Sequence, residues 1–239
     1  MRRFLFWSLC FCLLFPVGLS SCDGSDSAAV IFGGTTGKLT WTLTEDGVLT
    51  ITGEGPMPDY RDGGTSETPP WYPHVNRISS LTIGEGVTRI GDYAFMLCSF
   101  VTKVVIPESV TSMGDWAFIY CTGLQEAYIG DGVTEIAAKA FAECTALKTV
   151  VIGKSIQRIG DQAFNTRSSW DQMTLEKITV LFDDIASGSF PVLESGSRGV
   201  FPKPGGWDLV SYKIYVPKGT KAEYQKNWSD YSSLIVEMQ

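Results

Sequence analysis

"IGDYAF", residues Ile90–Phe95, decides the fold because the same phrase returns three more times at one fixed interval. The chain reads "MGDWAF" from Met113, "IAAKAF" from Ile136 and "IGDQAF" from Ile159, and each phrase begins 23 residues after the one before. Self-similarity at a period of roughly 20–50 residues is typical of solenoids, whose coils bury their apolar sides only by stacking. The sequence therefore predicts a stack of equal coils with one continuous column of phenylalanines. The residues expected in that column are Phe95, Phe118, Phe141 and Phe164.

Apolar residues in front of each phrase keep the same interval and predict one short strand per coil. In "CTALKTVVIGKSIQRIGDQAF" the spacing Leu147-x-x-Val150-x-Ile152 is that of a leucine-rich-repeat strand. Four regular coils are expected. A fifth strand is expected at residues 175–180, after an insertion at Asn165–Met173, and a sixth, degenerate strand at Tyr212–Pro217.

The wording of the repeat also carries a family resemblance. "IGDYAF…C" followed by "VVIPESVTSMGDWAF" resembles the BspA-like, treponeme-type leucine-rich repeats of bacterial surface proteins. The resemblance implies a leucine-rich-repeat solenoid with short parallel strands, and adhesion to extracellular-matrix or mucosal proteins. One position departs from the commonest leucine-rich repeat, which carries a ladder of asparagines there. That position holds Gly86, Ser109, Gly132 and Ser155.

The two ends of the array are expected to be capped, because an open solenoid end exposes apolar surface. Alternating Leu39, Trp41 and Leu43, followed by a turn at "EDG", predict an N-terminal β-hairpin cap. At the other end "TKAEYQKNW" predicts a short C-terminal helical cap with Thr220 at the N-cap and Glu223 three residues on.

The first residues are typical of an export signal. Arg2 and Arg3 precede the apolar run Phe4–Leu19, which is too short to span a membrane comfortably. The ending "LSSC" resembles the lipobox of bacterial lipoproteins, which implies cleavage before Cys22 and lipidation of that residue. An ordinary signal peptide with a chance cysteine, or an uncleaved membrane anchor, is the alternative. The polar stretch after Cys22 is typical of a flexible tether.

These observations divide the chain into five segments. Residues 1–21 are a lipoprotein signal peptide, 22–36 a flexible tether and 37–77 the hairpin cap. Residues 78–182 hold the leucine-rich-repeat coils, and 183–239 an irregular insertion, the last strand and the C-terminal cap. The expected location is the cell envelope, with the lipid in the outer membrane and the protein facing outward.

Charge and composition exclude some partners. The chain has 19 basic and 26 acidic residues and a net charge of −7, with no basic run. Nucleic acid is therefore not an expected partner, because its phosphates require Lys and Arg. The expected membrane contact is through the N-terminal lipid alone.

Catalytic, metal and cofactor sites are not expected. His74, in "PPWYPHV", is the single histidine of the chain, so no multi-His zinc site can be built. It is expected to pack in the loop that joins cap and repeats. An enzyme centred on His74 or on an aspartate pair (Asp59 with Asp62, or Asp183 with Asp184) is the competing hypothesis, against solvated loop charge for these pairs.

Three cysteines recur at the repeat interval and raise the question of a disulfide or a metal ladder. Parallel inward side chains would give poor S–S geometry, and an odd number leaves one thiol unpaired. Small buried apolar side chains are the preferred interpretation. These residues are Cys98, Cys121 and Cys144.

The strand positions that point away from the interior form the predicted binding surface, on the concave face. A mildly apolar and aromatic stripe edged by mixed charge suits an extracellular protein of host or bacterial origin. Strand propensity alone would also place Val, Thr and Tyr there. The predicted ligand-binding residues are Thr82, Lys103, Val105, Gln125, Tyr128, Lys148, Val151, Thr179 and Tyr215.

A glycan-binding component of an outer-membrane uptake system is the alternative function. It requires exposed aromatic platforms, for which Trp71, Trp170 and Trp207 are the candidates. The insertion Ser189–Trp207 is a second candidate functional segment, because long irregular loops on a rigid scaffold often carry function.

Overall fold

A computed structural model describes residues 28–62, 67–166, 174–184, 190–194, 199–202 and 212–239. The leader, Cys22, the tether up to residue 27, Trp170 and Trp207 lie outside the described residues. In the described part of the chain, no helix is long and apolar enough to cross a bilayer.

Short strands dominate the described residues. The strands are β1 (Val30–Thr36), β2 (Leu39–Thr44), β3 (Val48–Gly53), β4 (Gly55–Pro56), β5 (Ser80–Ile83), β6 (Val87–Ile90), β7 (Lys103–Ile106), β8 (Ser112–Met113), β9 (Glu126–Ile129), β10 (Glu135–Ile136), β11 (Thr149–Ile152), β12 (Arg158–Ile159), β13 (Lys177–Val180), β14 (Val192–Leu193), β15 (Lys213–Val216) and β16 (Ile235–Glu237). The helices are α1 (Lys221–Asn227) and two short 3-10 helices, Tyr72–Arg77 and Ser229–Leu234.

From β7 onward the leucine-rich-repeat strands form one parallel sheet, called the main sheet below. Its order is β7-β9-β11-β13-β15-β16, so each coil adds its strand beside that of the preceding coil. Alternate residues of these strands point into the interior and are buried, as the period of a strand requires. The inward residues that the register aligns are Val104, Ala127, Val150, Ile178 and Ile214. The predicted solenoid with short parallel strands is confirmed.

A second parallel sheet closes another side of each coil with very short strands, in the order β4-β6-β8-β10-β12-β14. Ile90, Met113, Ile136 and Ile159 point inward from it. The strand β14 lies within the segment predicted to be an irregular insertion. That prediction is wrong at Val192–Leu193, which pairs with β12 and so completes a further coil.

The repeated six-residue phrase, Ile90–Phe95 in the first coil, forms the remaining side of each coil. Its residues make tight turns, and backbone hydrogen bonds run from coil to coil, for example from Phe95 N–H to the carbonyl of Ala117 at 2.8 Å. The phenylalanine rings stack with centroids 5.1, 5.0 and 5.2 Å apart, and each side chain is at most 1% exposed. The predicted dry column is confirmed. Phe201 extends it at 5.4 Å from Phe164, and Trp71 begins it at 5.7 Å from Phe95.

The position of the missing asparagine ladder is explained by close contact between coils. A side chain at Gly132 would place its Cβ 1.8 Å from the carbonyl oxygen of Glu108, and one at Gly86 would meet that of Gly53 at 2.1 Å. Ser109 occupies the equivalent place one coil later than Gly86, and its hydroxyl donates to the carbonyl of Val87 at 2.8 Å. Small residues there let the backbones approach.

The N-terminal cap is larger than predicted. Strands β1 and β2 are antiparallel, β2 and β3 form the predicted hairpin, and β3 joins β5 in parallel. The prediction of a flexible tether up to residue 36 is wrong for Val30–Thr36, because these residues pair with β2. Residues 57–60, "MPDY", take the place of the repeated phrase one coil earlier. Tyr60 N–H donates to the backbone carbonyl of Asp92, as Tyr93 N–H donates to that of Asp115.

The C-terminal cap contains the predicted helix, α1, which begins after Thr220. The hydroxyl of Thr220 donates to the carbonyl of Pro217 at 2.6 Å rather than accepting from the helix, so the predicted side-chain cap is not formed. Trp228 and Tyr231, both buried, pack against Phe201 and cover the end of the column.

Candidate binding surface

The outward face of the main sheet carries the central row of predicted ligand-binding residues. The register places Val105 beside Tyr128, Tyr128 beside Val151, and Thr179 between Val151 and Tyr215. Val105 is 54% exposed, and Tyr128, Val151 and Tyr215 are half-buried. Thr179 is only 8% exposed, so the prediction that it lies open on this face is wrong.

Thr82 is also exposed, but it lies on β5, which pairs with β3 of the cap and not with β7. The structure therefore brings the remaining row together from Val105 to Tyr215 on one sheet, with Thr82 on the adjoining cap sheet.

Each tyrosine of the row is covered on one side by a lysine. Lys103 Nζ lies 4.5 Å from the ring centroid of Tyr128, and Lys177 Nζ lies 5.0 Å from that of Tyr215. The hydroxyl of Tyr128 donates a hydrogen bond to Glu126 Oε2 at 3.2 Å, and the same carboxylate oxygen forms an ion pair with Lys103 at 3.7 Å. These contacts favour the observed ring positions, which lowers the conformational freedom that the rings lose when they contact a partner.

Charged side chains edge this row. Lys148 pairs with Glu176 at 3.4 Å, and Gln125 is exposed beside them. Lys177 and Lys213 are register partners, and within the described ranges no carboxylate lies at ion-pair distance from either. The face therefore offers apolar and aromatic contact with an edge that has both ion pairs and unpaired lysines. Such a composition suits a protein interface.

His74 lies where the sequence predicted, in the 3-10 helix between cap and repeats. Its ring stacks on Phe32 with centroids 3.7 Å apart and planes at 18°. Burial and the neighbouring charge of Arg77 lower the pKa of His74, which favours the neutral ring. This packing gives the imidazole a structural partner.

The three repeat cysteines are buried as predicted, and two of their thiols also form hydrogen bonds between coils. The thiol of Cys121 donates to the carbonyl of Phe95, and that of Cys144 to the carbonyl of Phe118, each at 3.1 Å. Burial raises the pKa of Cys98 and of Cys121 well above the usual range, so both thiols stay protonated. All three thiols are free. In the portion of the chain that the structure describes, no cluster of three or more metal-binding side chains occurs.

The predicted aspartate pairs differ in their roles. Asp59 is exposed but not merely solvated: its Oδ1 accepts the N–H of Asp92 at 3.0 Å and pairs with Arg89. Burial alone would raise the pKa of Asp59, but these two partners together hold it below its usual value. Asp183 and Asp184 are both exposed.

One feature that the sequence reasoning missed is a cavity of about 1090 Å³ between the N-terminal cap and the first regular coil. It is bordered by Asp59, Tyr60, Asp62 and Tyr93, among others. The similarity of "MPDY" to "IGDY" was the available signal, because it places Tyr60 one coil before Tyr93. Trp71, a candidate glycan platform, is 1% exposed and so cannot serve as one.

Comparisons with known proteins agree with this architecture. Six copies of a BspA type leucine rich repeat region match residues 72–190. A leucine-rich repeat protein from Eubacterium ventriosum ATCC 27560 is 26% identical, with a TM-score of 0.57 over 81% of this chain and 46% of that chain. The pneumococcal vaccine antigen PcpA is 16% identical, with a TM-score of 0.54 over 83% of this chain and 46% of its own, and this likeness shows the fold alone. The chain thus spans less than half the length of these two proteins. No curated protein matches it in sequence.

Proposed function

Since this chain belongs to the BspA type leucine-rich repeat proteins, we propose that it is a non-enzymatic binding protein of the bacterial cell envelope. Its partner is an extracellular protein of host or bacterial origin. Contact is made by the outward face of the main sheet, with Tyr128 and Tyr215 as the central residues. The observation that carries this proposal is a row on in-register strands in which valines alternate with tyrosines that each have a lysine over the ring.

The physical reason is the energetics of protein interfaces. Tyrosine is enriched among residues whose loss weakens binding most, because its ring supplies a large contact area with few rotatable bonds. Here the rings are already held by Lys103 and Lys177, so binding does not have to order them. Val105 adds exposed apolar area on the same row.

Lipid anchoring at Cys22 is the second part of the proposal, and "LSSC" supports it. Cells grown with labelled palmitate should label the chain, and Cys22→Ala should abolish the label. Protease added to intact cells should degrade the chain if it faces outward from the outer membrane. Unlabelled protein, or full protection from protease, would overturn this assignment.

The binding surface is tested on a panel of extracellular-matrix and mucosal proteins. A protein captured by the wild type should lose at least tenfold in affinity when Tyr128→Ala and Tyr215→Ala are combined, because central interface residues contribute about 2 kcal/mol or more. Tyr120→Ala is the matched control, since Tyr120 is 44% exposed but lies on the turn side of the coil. Equal binding by the double variant and the wild type would exclude this face.

A further inference from the structure

A column of side chains runs along the turn side of the solenoid, one residue per coil. Tyr93 and Trp116 stack with centroids 6.0 Å apart and planes at 6°, and Lys139 Nζ lies 4.1 Å from the Trp116 centroid. All three residues have positive φ angles, of 54°, 59° and 56°, so their side chains leave the backbone in the same way. In this column a cation, Lys139, therefore lies over an aromatic ring.

The other end of the column meets the cavity beside the cap. Tyr60 occupies the corresponding place in the preceding coil, but its ring turns inward. Its hydroxyl is hydrogen-bonded to that of Thr36, and its ring meets Trp71 edge-on at 5.8 Å. Tyr60 is 7% exposed and makes no ring contact with Tyr93. The side of Tyr93 that faces the cap therefore borders the cavity of about 1090 Å³.

The charge around this cavity is negative. Four carboxylates and one guanidinium border it: Asp59, Asp62, Glu67, Asp92 and Arg61. Arg61 pairs with Glu67 at 3.0 Å, and Arg89 pairs with Asp59 and Asp92. In the described part of the chain, Asp62 has no cation at ion-pair distance. Asp62 and Tyr93 border the same cavity, and burial and then the charge of Asp62 raise the pKa of Tyr93.

We propose that this cavity binds a cationic side chain, a lysine or an arginine, of a partner protein. The ammonium or guanidinium group lies over Tyr93 and pairs with Asp62, repeating at this end of the column what Lys139 does on Trp116. An aromatic face favours a cation, and an unpaired carboxylate adds a charge-assisted hydrogen bond. The site is separate from the main sheet, so it does not depend on the function proposed above.

Calorimetric titration of the purified protein with hexa-arginine and hexalysine peptides tests this site. Asp62→Asn removes the charge and leaves the shape, and Tyr93→Asn removes the ring with a residue that tolerates positive φ. Each change should weaken peptide binding at least fivefold. The matched controls are Tyr120→Asn, at a φ of 58°, and Glu108→Gln, at an exposed carboxylate; both should bind within twofold of the wild type.

Three results would overturn the proposal. Undetectable binding of either peptide by the wild type is the first. Equal weakening by Glu108→Gln and Asp62→Asn would show that the peptides follow only the overall negative charge. Binding of a neutral oligosaccharide that is lost in Tyr93→Asn but kept in Asp62→Asn would assign the cavity to a glycan instead. The Tyr128→Ala, Tyr215→Ala double variant should bind the peptides normally, which separates this site from the main sheet.

Discussion

Phe141 shows, at the scale of one residue, how the column stabilises the stack of coils. Its ring lies between those of Phe118 and Phe164, at 5.0 and 5.2 Å, and is fully buried. The stacked rings exclude water, so each one is held by apolar contact on both faces.

Phe141→Ala should therefore lower the free energy of unfolding by about 3–5 kcal/mol, the usual cost of removing a buried phenylalanine. Urea unfolding followed by circular dichroism measures it. Phe100→Ala is the control, because Phe100 is 59% exposed and its loss should change stability by less than about 0.5 kcal/mol. A similar small effect at Phe141 would contradict the column as a source of stability.

The cysteines show what residue-type reasoning leaves out. Sequence alone predicted small buried side chains at Cys121 and Cys144, and their burial agrees. Each of these two thiols donates to a phenylalanine carbonyl of the preceding coil, and this contact depends on how the coils stack. A pattern of residue types cannot give such a contact, because the partner lies 26 positions away in the chain.

At the scale of the elements, the strands are too short to hold together singly. The strands of the second sheet are mostly two residues long, and they persist because successive coils place them side by side in one sheet. A glycine or serine between the two strands of each coil lets the backbones of neighbouring coils approach. These residues are Gly86, Ser109, Gly132 and Ser155. Gly132 has an ordinary φ, so it is required by contact with Glu108 and not by backbone conformation.

Gly132→Ala should thus force the adjoining coils apart and lower the free energy of unfolding by about 1–3 kcal/mol, the cost of overpacking. Ser155 stands at the same place in the next coil and already carries a side chain, so Ser155→Ala is the matched comparison and should be near neutral. The test compares the thermal unfolding midpoints of Gly132→Ala and Ser155→Ala with that of the wild type. An unchanged midpoint for Gly132→Ala would mean that the coils can separate freely.

The segment predicted as an irregular insertion contains regular elements of the solenoid. Loss of the 23-residue interval after Phe164 hid the second-sheet strand and the column ring of the predicted fifth coil. The structure supplies both, because β14 pairs with β12 and Phe201 stacks on Phe164. The interior needs a strand and a ring at each level, while the loops between them vary in length.

At the scale of the whole molecule, both ends of the column are closed by aromatic residues with buried hydroxyls. Tyr60 belongs to the N-terminal cap, and Tyr231 donates to the carbonyl of Phe201 at 3.0 Å in the C-terminal one. Burial raises the pKa of each of these tyrosines to about 12. In the unfolded chain a tyrosine loses its proton near pH 10.

Stability should consequently fall as pH rises from about 10 towards 12. In this range the unfolded chain releases tyrosine protons that the folded protein keeps, so unfolding becomes more favourable. Urea unfolding at pH 8, 10 and 11 measures the effect. Tyr231→Phe should make the decline shallower, whereas Tyr120→Phe, at an exposed tyrosine, should leave it as it is in the wild type. A free energy of unfolding that stays constant up to pH 11 would contradict the prediction.

The sequence by itself determined the repeat, its interval, the inward residues and the column from Phe95 to Phe164, because equal coils must superimpose equivalent side chains. Tertiary structure alone decided which outward residues remain exposed. Thr179 is buried, Tyr60 turns inward to Thr36, and Tyr93 is left beside a cavity. The physical reason is that an inward position depends on one chain's period, whereas exposure depends on the size and direction of side chains in neighbouring coils.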